Sequence, residues 1–215
     1  RARLRGGRAP HLTLHARLVL VVSAALLGVG MVAFLLLEWE NVLRGMPLGE
    51  RLLASWFQSV TPRTAGFNPI DYGRVSSDTL FFTIFLMFVG ASPGSTGGGI
   101  KTTSFGLLVA LVVARWRGRG RATLFHRTIP HAVMDLALTI ALLAWVLVSL
   151  AVGLLVFTET HGRPFAVAEP RFLALMFEAV SAFGTVGLST GITPSLSASG
   201  KLVLVALMFV GRVGP

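Results

Sequence analysis

Two stretches of the chain run without charge for long enough to cross a bilayer. Leu18 to Leu37 is twenty uncharged residues, about 30 Å of helix, which matches a hydrocarbon core. Glu38-Trp39-Glu40 follows it instead of a small-residue cleavage site, so the run is a span and not a removable signal. Leu136 to Phe157, entered through Asp135 and containing Trp145, predicts a second span. Thr79 to Ala91 and Ile100 to Ala114 are apolar but too short to cross comfortably alone, and SPGSTGGG lies between them. Arg51 to Val60 and Arg171 to Phe183 are amphipathic. They predict helices of about 15–20 Å, lying on the surface or dipping half-way into the membrane and returning.

The chain also repeats itself. Met87-Phe88-Val89-Gly90 returns 121 residues later as Met208-Phe209-Val210-Gly211, and Thr64-Ala65-Gly66 faces Thr185-Val186-Gly187 at the same offset. Phe57-Gln58-Ser59-Val60 is similar to Phe177-Glu178-Ala179-Val180 at an offset of 120, a slip of one residue. Three matches almost in register imply duplication. Each unit reads as a long outer helix, a short helix with a Thr-x-Gly turn, and an inner helix ending in MFVG. If the short helix leaves by the face it entered, each unit crosses an even number of times and both units keep one orientation. That is the plan of a pore-loop protein, whereas an inverted-repeat carrier needs an odd number of crossings.

Main chain without helical bonds is tolerated in a membrane only when buried in protein or lining water. At a Thr-x-Gly turn, inward carbonyl oxygens can replace the hydration shell of a cation, and glycine supplies the positive φ that aligns them. The C-terminal end of a short helix adds partial negative charge. Thr64, Ala65, Gly66 and Phe67, with Thr185, Val186, Gly187 and Leu188, are therefore the candidate cation ligands. Thr185-Val186-Gly187 matches the first three residues of the TVGYG filter of potassium channels, while the first turn shares only Thr and Gly. The competing role for Gly66 and Gly187 is a plain helix C-cap.

Composition narrows the class. Hydrophobic residues make up 53% and charged residues 13%, against roughly 25% charged in soluble domains, which excludes a solvated globular or disordered chain. Lys and Arg number 19 and Asp and Glu 9, a net charge of +10. Ten of the basic residues, Arg1, Arg3, Arg5, Arg8, Arg17 and Arg115, Arg117, Arg119, Arg121, Arg127, fall in two acid-free stretches beside apolar spans. The positive-inside rule makes both cytoplasmic. Glu38, Glu40, Glu50, Asp71, Asp78, Glu159, Glu169 and Glu178 then fall on the outer side or in segments entering from it, and Asp135 is the exception. RARLRGGR and RWRGRGR look like arginine-glycine nucleic-acid segments, but charge abutting a span is topological, so no nucleic-acid partner is expected. The absence of Cys excludes disulfides, thiolate metal sites and Cys nucleophiles. His11, His15, His126, His131 and His161 lack metal-ligand spacing.

Gly90 to Gly99 contains five glycines and Pro93, so the first inner helix must break there. A phosphate loop is excluded because Ile100 separates Gly99 from Lys101 and an apolar helix, not a strand, precedes the segment. Ser92, Ser95, Thr96 and the bare glycine amides need polar partners and should face a cavity. Lys101 and Arg212 are intramembrane cations and hence functional candidates; Lys101 has the alternative of snorkelling to the cytoplasmic interface. Arg63 and Glu178 flank the turns as a candidate pair bracing the entrance, with a solvated outer-face position as the other reading for Arg63.

TPRTAGFN from Thr61, GASPGSTGGGIKTTSF from Gly90, and AFGTVGLSTGITPSLSASGK with MFVGRVGP together resemble the Trk/Ktr/HKT superfamily of potassium uptake proteins, most nearly its bacterial KtrB (TrkH-like) branch. The resemblance implies an all-α polytopic membrane protein with four pore-loop repeats around one pore, of which this chain is similar to the third and fourth. Residues 1–15 are then a cytoplasmic basic segment, 16–128 the third repeat with its cytoplasmic loop, and 129–215 a truncated fourth. A chain that starts at Arg and stops at Pro215 reads as a fragment not expected to conduct alone. By likeness, each turn supplies one quarter of a potassium filter. Gly90, Ser92, Pro93, Gly94, Ser95, Thr96, Gly97, Gly98 and Gly99 with Lys101 form the gate loop beneath it, and Arg212 contacts that gate.

The function so implied is potassium uptake across the bacterial inner membrane with no chemistry catalysed. Potassium is the cargo, sodium is a candidate coupling ion, and no organic cofactor is expected. The implied partners are the missing N-terminal half of the same subunit, a second copy in a homodimer, a cytoplasmic ring of nucleotide-binding regulatory subunits, and membrane lipid. Two rival classes are a secondary solute carrier with a midplane site at the broken helix and a nonconducting membrane anchor whose arginine loops recruit a partner.

Overall fold

The computed structural model describes residues 13–95, 97–118, 122–125, 127–160 and 164–214, with only the main chain described over 165–170. The expectations placed on Arg1, Arg3, Arg5, Arg8, Thr96, Arg119 and Arg121 lie outside these residues. Among the described residues the chain is mostly helical: α1 Leu14–Leu37, α2 Leu48–Val60, α3 Ser77–Phe88, α4 Thr102–Trp116, α5 His131–Thr160, α6 Phe165–Phe183 and α7 Ala198–Val213.

α1 and α5 have 24 and 30 residues, about 36 and 45 Å of helix. Both are apolar on every side and leave Leu20, Leu36, Leu143 and Leu150 exposed, the surface that hydrocarbon would cover. Thr13, Ser76 and Ser197 start α1, α3 and α7, each hydroxyl accepting a backbone N–H of the first turn. α2 lies on α1, where the Ser59 hydroxyl donates to the Leu27 carbonyl at 2.6 Å. α4 bridges α1 and α5, and α6 is enclosed by α3, α5 and α7. The main apolar cluster accordingly centres on α6, with Leu175, Phe177, Ala179 and Phe183 packed among Tyr72, Met87, Leu155 and Leu204.

Several elements differ from the sequence expectation. α2 and α6 begin at Leu48 and Phe165, before Arg51 and Arg171, because Pro47 and Pro164 stand at their N-caps. α6 therefore has 19 residues, about 28 Å, and exceeds the expected half-membrane length. α3 stops at Phe88, short of Ala91. Gly90 N–H donates to the Ile100 carbonyl at 2.9 Å and Ile100 N–H to the Phe88 carbonyl at 3.2 Å, so the chain leaves the helix for a bridge between Val89 and Ile100. A two-residue hairpin, β1 Thr123–Leu124 with β2 Arg127–Thr128, interrupts the helical chain inside the basic loop.

Candidate cation site at two paired turns

Each short helix ends in a turn held by its own last residues. After α2, Ala65 N–H donates to the Thr61 carbonyl at 3.1 Å, and the Thr61 hydroxyl donates to the Phe67 carbonyl. After α6, Val186 N–H donates to the Ser181 carbonyl at 2.9 Å and the Ser181 hydroxyl to the Leu188 carbonyl at 2.6 Å. Thr64 and Gly66 have φ of 68° and 77°, and Thr185 and Gly187 have 51° and 89°. Left-handed backbone was expected of the glycines. At a β-branched threonine it is an outlier costing about 1–3 kcal/mol, and it persists only where the surroundings enforce it. Residues of opposite hand in alternation swing successive carbonyls toward one side, the arrangement a cation needs.

The segments beyond the turns are clasped back to the short helices. Gln58 accepts the Tyr72 hydroxyl at 2.9 Å. Glu178, about two helical turns before its own Thr-x-Gly, accepts Ser189 Oγ at 2.7 Å, Thr190 N–H at 2.9 Å and Thr193 Oγ1 at 2.7 Å. Glu178 is thus filled by its own repeat, and the expected pairing with Arg63 does not form. Arg63 reaches α1 instead, donating to the Ser23 carbonyl and hydroxyl at 3.4 Å each, half-buried and not a solvated outer charge.

A second pair of braces was missed in the sequence. Glu38 at the end of α1 accepts Ser76 N–H at 2.8 Å and Ser76 Oγ at 2.7 Å, and Asn41 Nδ2 at 2.7 Å. Glu159 in the last turn of α5 accepts Ser197 N–H at 3.0 Å and the Ser197 hydroxyl. Both pairs are separated by 121 residues, so the offset applied to polar residues, rather than to MFVG alone, would have found them. Burial pushes the Glu38 carboxyl up, but the hydrogen bonds from Thr79, Ser76 and Asn41 together outweigh it and hold it below the ordinary glutamate value.

The two turns meet. A Cβ on Gly66 would stand 2.5 Å from the Val186 carbonyl oxygen, and one on Gly187 would stand 3.7 Å from Gly66 Cα. The glycine loop lies against both. A Cβ on Gly97 would fall 2.7 Å from Thr64 Oγ1, while Gly98 N–H donates to Thr185 Oγ1 at 2.8 Å. Lys101 is half-buried and its Nζ donates to the Gly97 carbonyl at 2.5 Å, within the loop. Ser95 donates to the Ser92 carbonyl at 2.6 Å, and Gly94 takes φ 84° after Pro93. The Gly211 of the second MFVG passes so close to the Phe183 carbonyl that no side chain fits. Arg212, next to it, lines a cavity of about 420 Å³ with Glu178, Thr185 and Gly187.

The profile of the TrkH family, described as a cation transport protein, matches residues 7–215. The chain is 38% identical over 205 residues to Ktr system potassium uptake protein B of Bacillus subtilis, covering 94% of this chain and 44% of that protein. It is 43% identical over 209 residues to potassium/sodium uptake protein NtpJ of Enterococcus hirae, covering 96% and 45%. It is 38% identical over 202 residues to Ktr system potassium uptake protein D of Bacillus subtilis, covering 94% and 43%. The chain spans less than half the length of these relatives, all named as uptake proteins and not as enzymes. With its two long apolar helices and this match along almost its whole length, the chain is a membrane protein that belongs to the TrkH family of cation transport proteins, on its Ktr-like side.

Proposed function

We propose that this chain is one half of a potassium uptake pore, in which Thr64 to Phe67 and Thr185 to Leu188 each give a quarter of a carbonyl-lined filter. The reading rests on one observation: turns from duplicated segments, with left-handed Thr and Gly in the same places, lie in van der Waals contact. Main chain strained twice in the same way has its rationale where an ion takes the oxygens. The loop from Gly90 to Gly99, stacked against both threonines and backed by Lys101 and Arg212, acts as the gate on the cytoplasmic side. Positive groups there raise the barrier to a cation until they move.

The residues 16–128 and 129–215 act as two parallel pore-loop repeats, with the basic loops cytoplasmic in a bacterial inner membrane. The uncovered side of α2 supports two further repeats. Leu53, Trp56 and Phe57 are exposed, whereas α6 packs against α3 and buries Phe177, the counterpart of Phe57, so another inner helix fits there. That helix belongs to the N-terminal half of the subunit. A homodimer and a nucleotide-binding ring facing the Arg115 to Arg117 end of α4 complete the assembly. Potassium is the cargo because the relatives are named for it, and sodium is a co-transported candidate because one is named for both.

The test is ion uptake by the complete transporter carrying Gly187→Ser. Preference for potassium over sodium is expected to fall about tenfold, because a side chain at φ 89° disturbs the carbonyl ring. Unchanged preference in a well-folded variant removes the filter assignment. Deleting Gly97 to Gly99 is expected to speed flux, and unaltered flux removes the gate.

A further inference from the structure

The Thr185 side chain makes a bond that a purely carbonyl filter does not require. Its hydroxyl oxygen accepts the N–H of Gly98 at 2.8 Å across 87 residues of sequence. Gly98 is fitted to that place: a Cβ there would meet the Gly211 carbonyl oxygen at 2.7 Å, and the Phe183 carbonyl oxygen and Thr185 Cγ2 at 2.9 Å. A Cβ on Gly97 would likewise fall 2.7 Å from Thr64 Oγ1. Two consecutive glycines thus dock on the equivalent threonines of the two turns.

The docked loop also fixes the sign of the local field. The positive end of the Gly98 amide points at the threonine, the Lys101 ammonium sits on the preceding carbonyl, and Arg212 lines the same cavity as Thr185. A cation resting at this end of the turns meets the Gly98 N–H and the Lys101 ammonium at the loop, with Arg212 and the Glu178 carboxylate both lining the cavity beside them. Loop docking and cation occupancy therefore oppose one another, and by linkage each weakens the other by the same factor.

We propose that the Thr185 hydroxyl is a latch, which holds the glycine loop against the turns through Gly98 N–H and which a cation bound at that end releases. The idea builds on the reading of the turns as a cation site. It makes Thr185 a positioning residue for the loop as well as a source of a filter carbonyl.

This chain has no cysteine of its own, so once any cysteine in the rest of the subunit is replaced by serine, a nitroxide on Ser95→Cys reports the loop in the complete transporter, reconstituted in phosphatidylcholine and phosphatidylglycerol vesicles. In the parent, potassium replacing choline is expected to convert immobile label to mobile. Thr185→Val keeps the β-branch and the volume but removes the acceptor. The immobile fraction is expected to fall about fivefold relative to the mobile one, as for one lost hydrogen bond, and to stop responding to potassium. Thr185→Ser keeps the oxygen and the response. A parent loop indifferent to potassium overturns the latch without any variant. A Val variant whose loop behaves as the parent's does the same. If either result comes with a Gly187→Ser variant that loses potassium preference, the cation site stands and the latch alone falls. If potassium preference is also unchanged in Gly187→Ser, the cation site falls with it.

Discussion

The turns at Thr64 and Thr185 are built by matching bonds, yet the helices that deliver them sit in unlike surroundings. Phe57 on α2 is 40% exposed and Phe177, its counterpart on α6, is 0% exposed. α6 lies between three helices, whereas α2 rests chiefly on α1. In both repeats, nevertheless, a hydroxyl at the end of the short helix holds the carbonyl two residues past the left-handed threonine and the intervening residue. Turn geometry is thus set from within each repeat, and packing decides only where a finished turn is placed. The contact between Gly66 and Val186 belongs to the second category, and there the two repeats stop being equivalent.

That difference gives the largest expected effect. Gly66→Ala places a methyl 2.5 Å from a main-chain oxygen at φ 77°, while Gly187→Ala meets an ordinary contact of 3.7 Å at φ 89°. Strain and collision together predict a stability loss of about 3 kcal/mol for the first and about 1 kcal/mol for the second, read as melting of the purified complete protein. Equal losses would break the claimed asymmetry.

The braces test the equivalence from the other side. Glu38→Gln and Glu159→Gln each weaken charge-assisted bonds to a serine hydroxyl and N–H, so each should lower stability by about 2 kcal/mol. Melting points that place the two variants far apart would show that only one repeat depends on its brace. Glu178→Gln is a smaller change, about 1 kcal/mol, since the Ser189 and Thr193 hydroxyls lie 3.2 Å apart and can bond to one another when the carboxylate is lost. Gln58→Glu turns a carboxylate toward the Ile70 carbonyl, which Nε2 now faces at 3.5 Å, and should be the less tolerated of the two. An opposite ranking by thermal melting would end the idea that the clasps differ in kind.

Acidity provides the smallest effect. The Glu38 carboxyl is held below its ordinary value in the folded protein, so its contribution is fully present above the unfolded value of about pH 4.3. It is lost as pH falls through the lower folded value. Acid melting of the parent and Glu38→Gln should converge below that range, and curves that stay parallel would contradict it.

The two long spans were legible because hydrocarbon imposes a length and forbids charge, and α1 and α5 obey both rules. The matched segments 121 residues apart stood out because MFVG and Thr-x-Gly are dense in constrained residues. Glu38 and Glu159 were not. In sequence they look like charges parked at an interface, and only the fold brings Ser76 and Ser197 to them. Left-handed Thr64 and Thr185 were invisible because intrinsic preference argues against that backbone, and the hydroxyl clasps from Thr61 to Phe67 and from Ser181 to Leu188 override it. The expected Arg63–Glu178 pair failed because nearness to the turns along the chain was taken for nearness in space.

The bridge between Val89 and Ile100 carries one more consequence. Glu38 at the end of α1 fastens Ser76, the N-cap of α3, so α3 has little liberty to tilt by itself. Below it, Gly90 N–H to Ile100 and Ile100 N–H to Phe88 couple α3 to the strand-like start of α4. This elbow has the flexibility of glycine and is secured by a pair of amide bonds, so bending there disturbs far less than rocking a whole helix. Motion in this protein should begin at that elbow and leave the spans almost still.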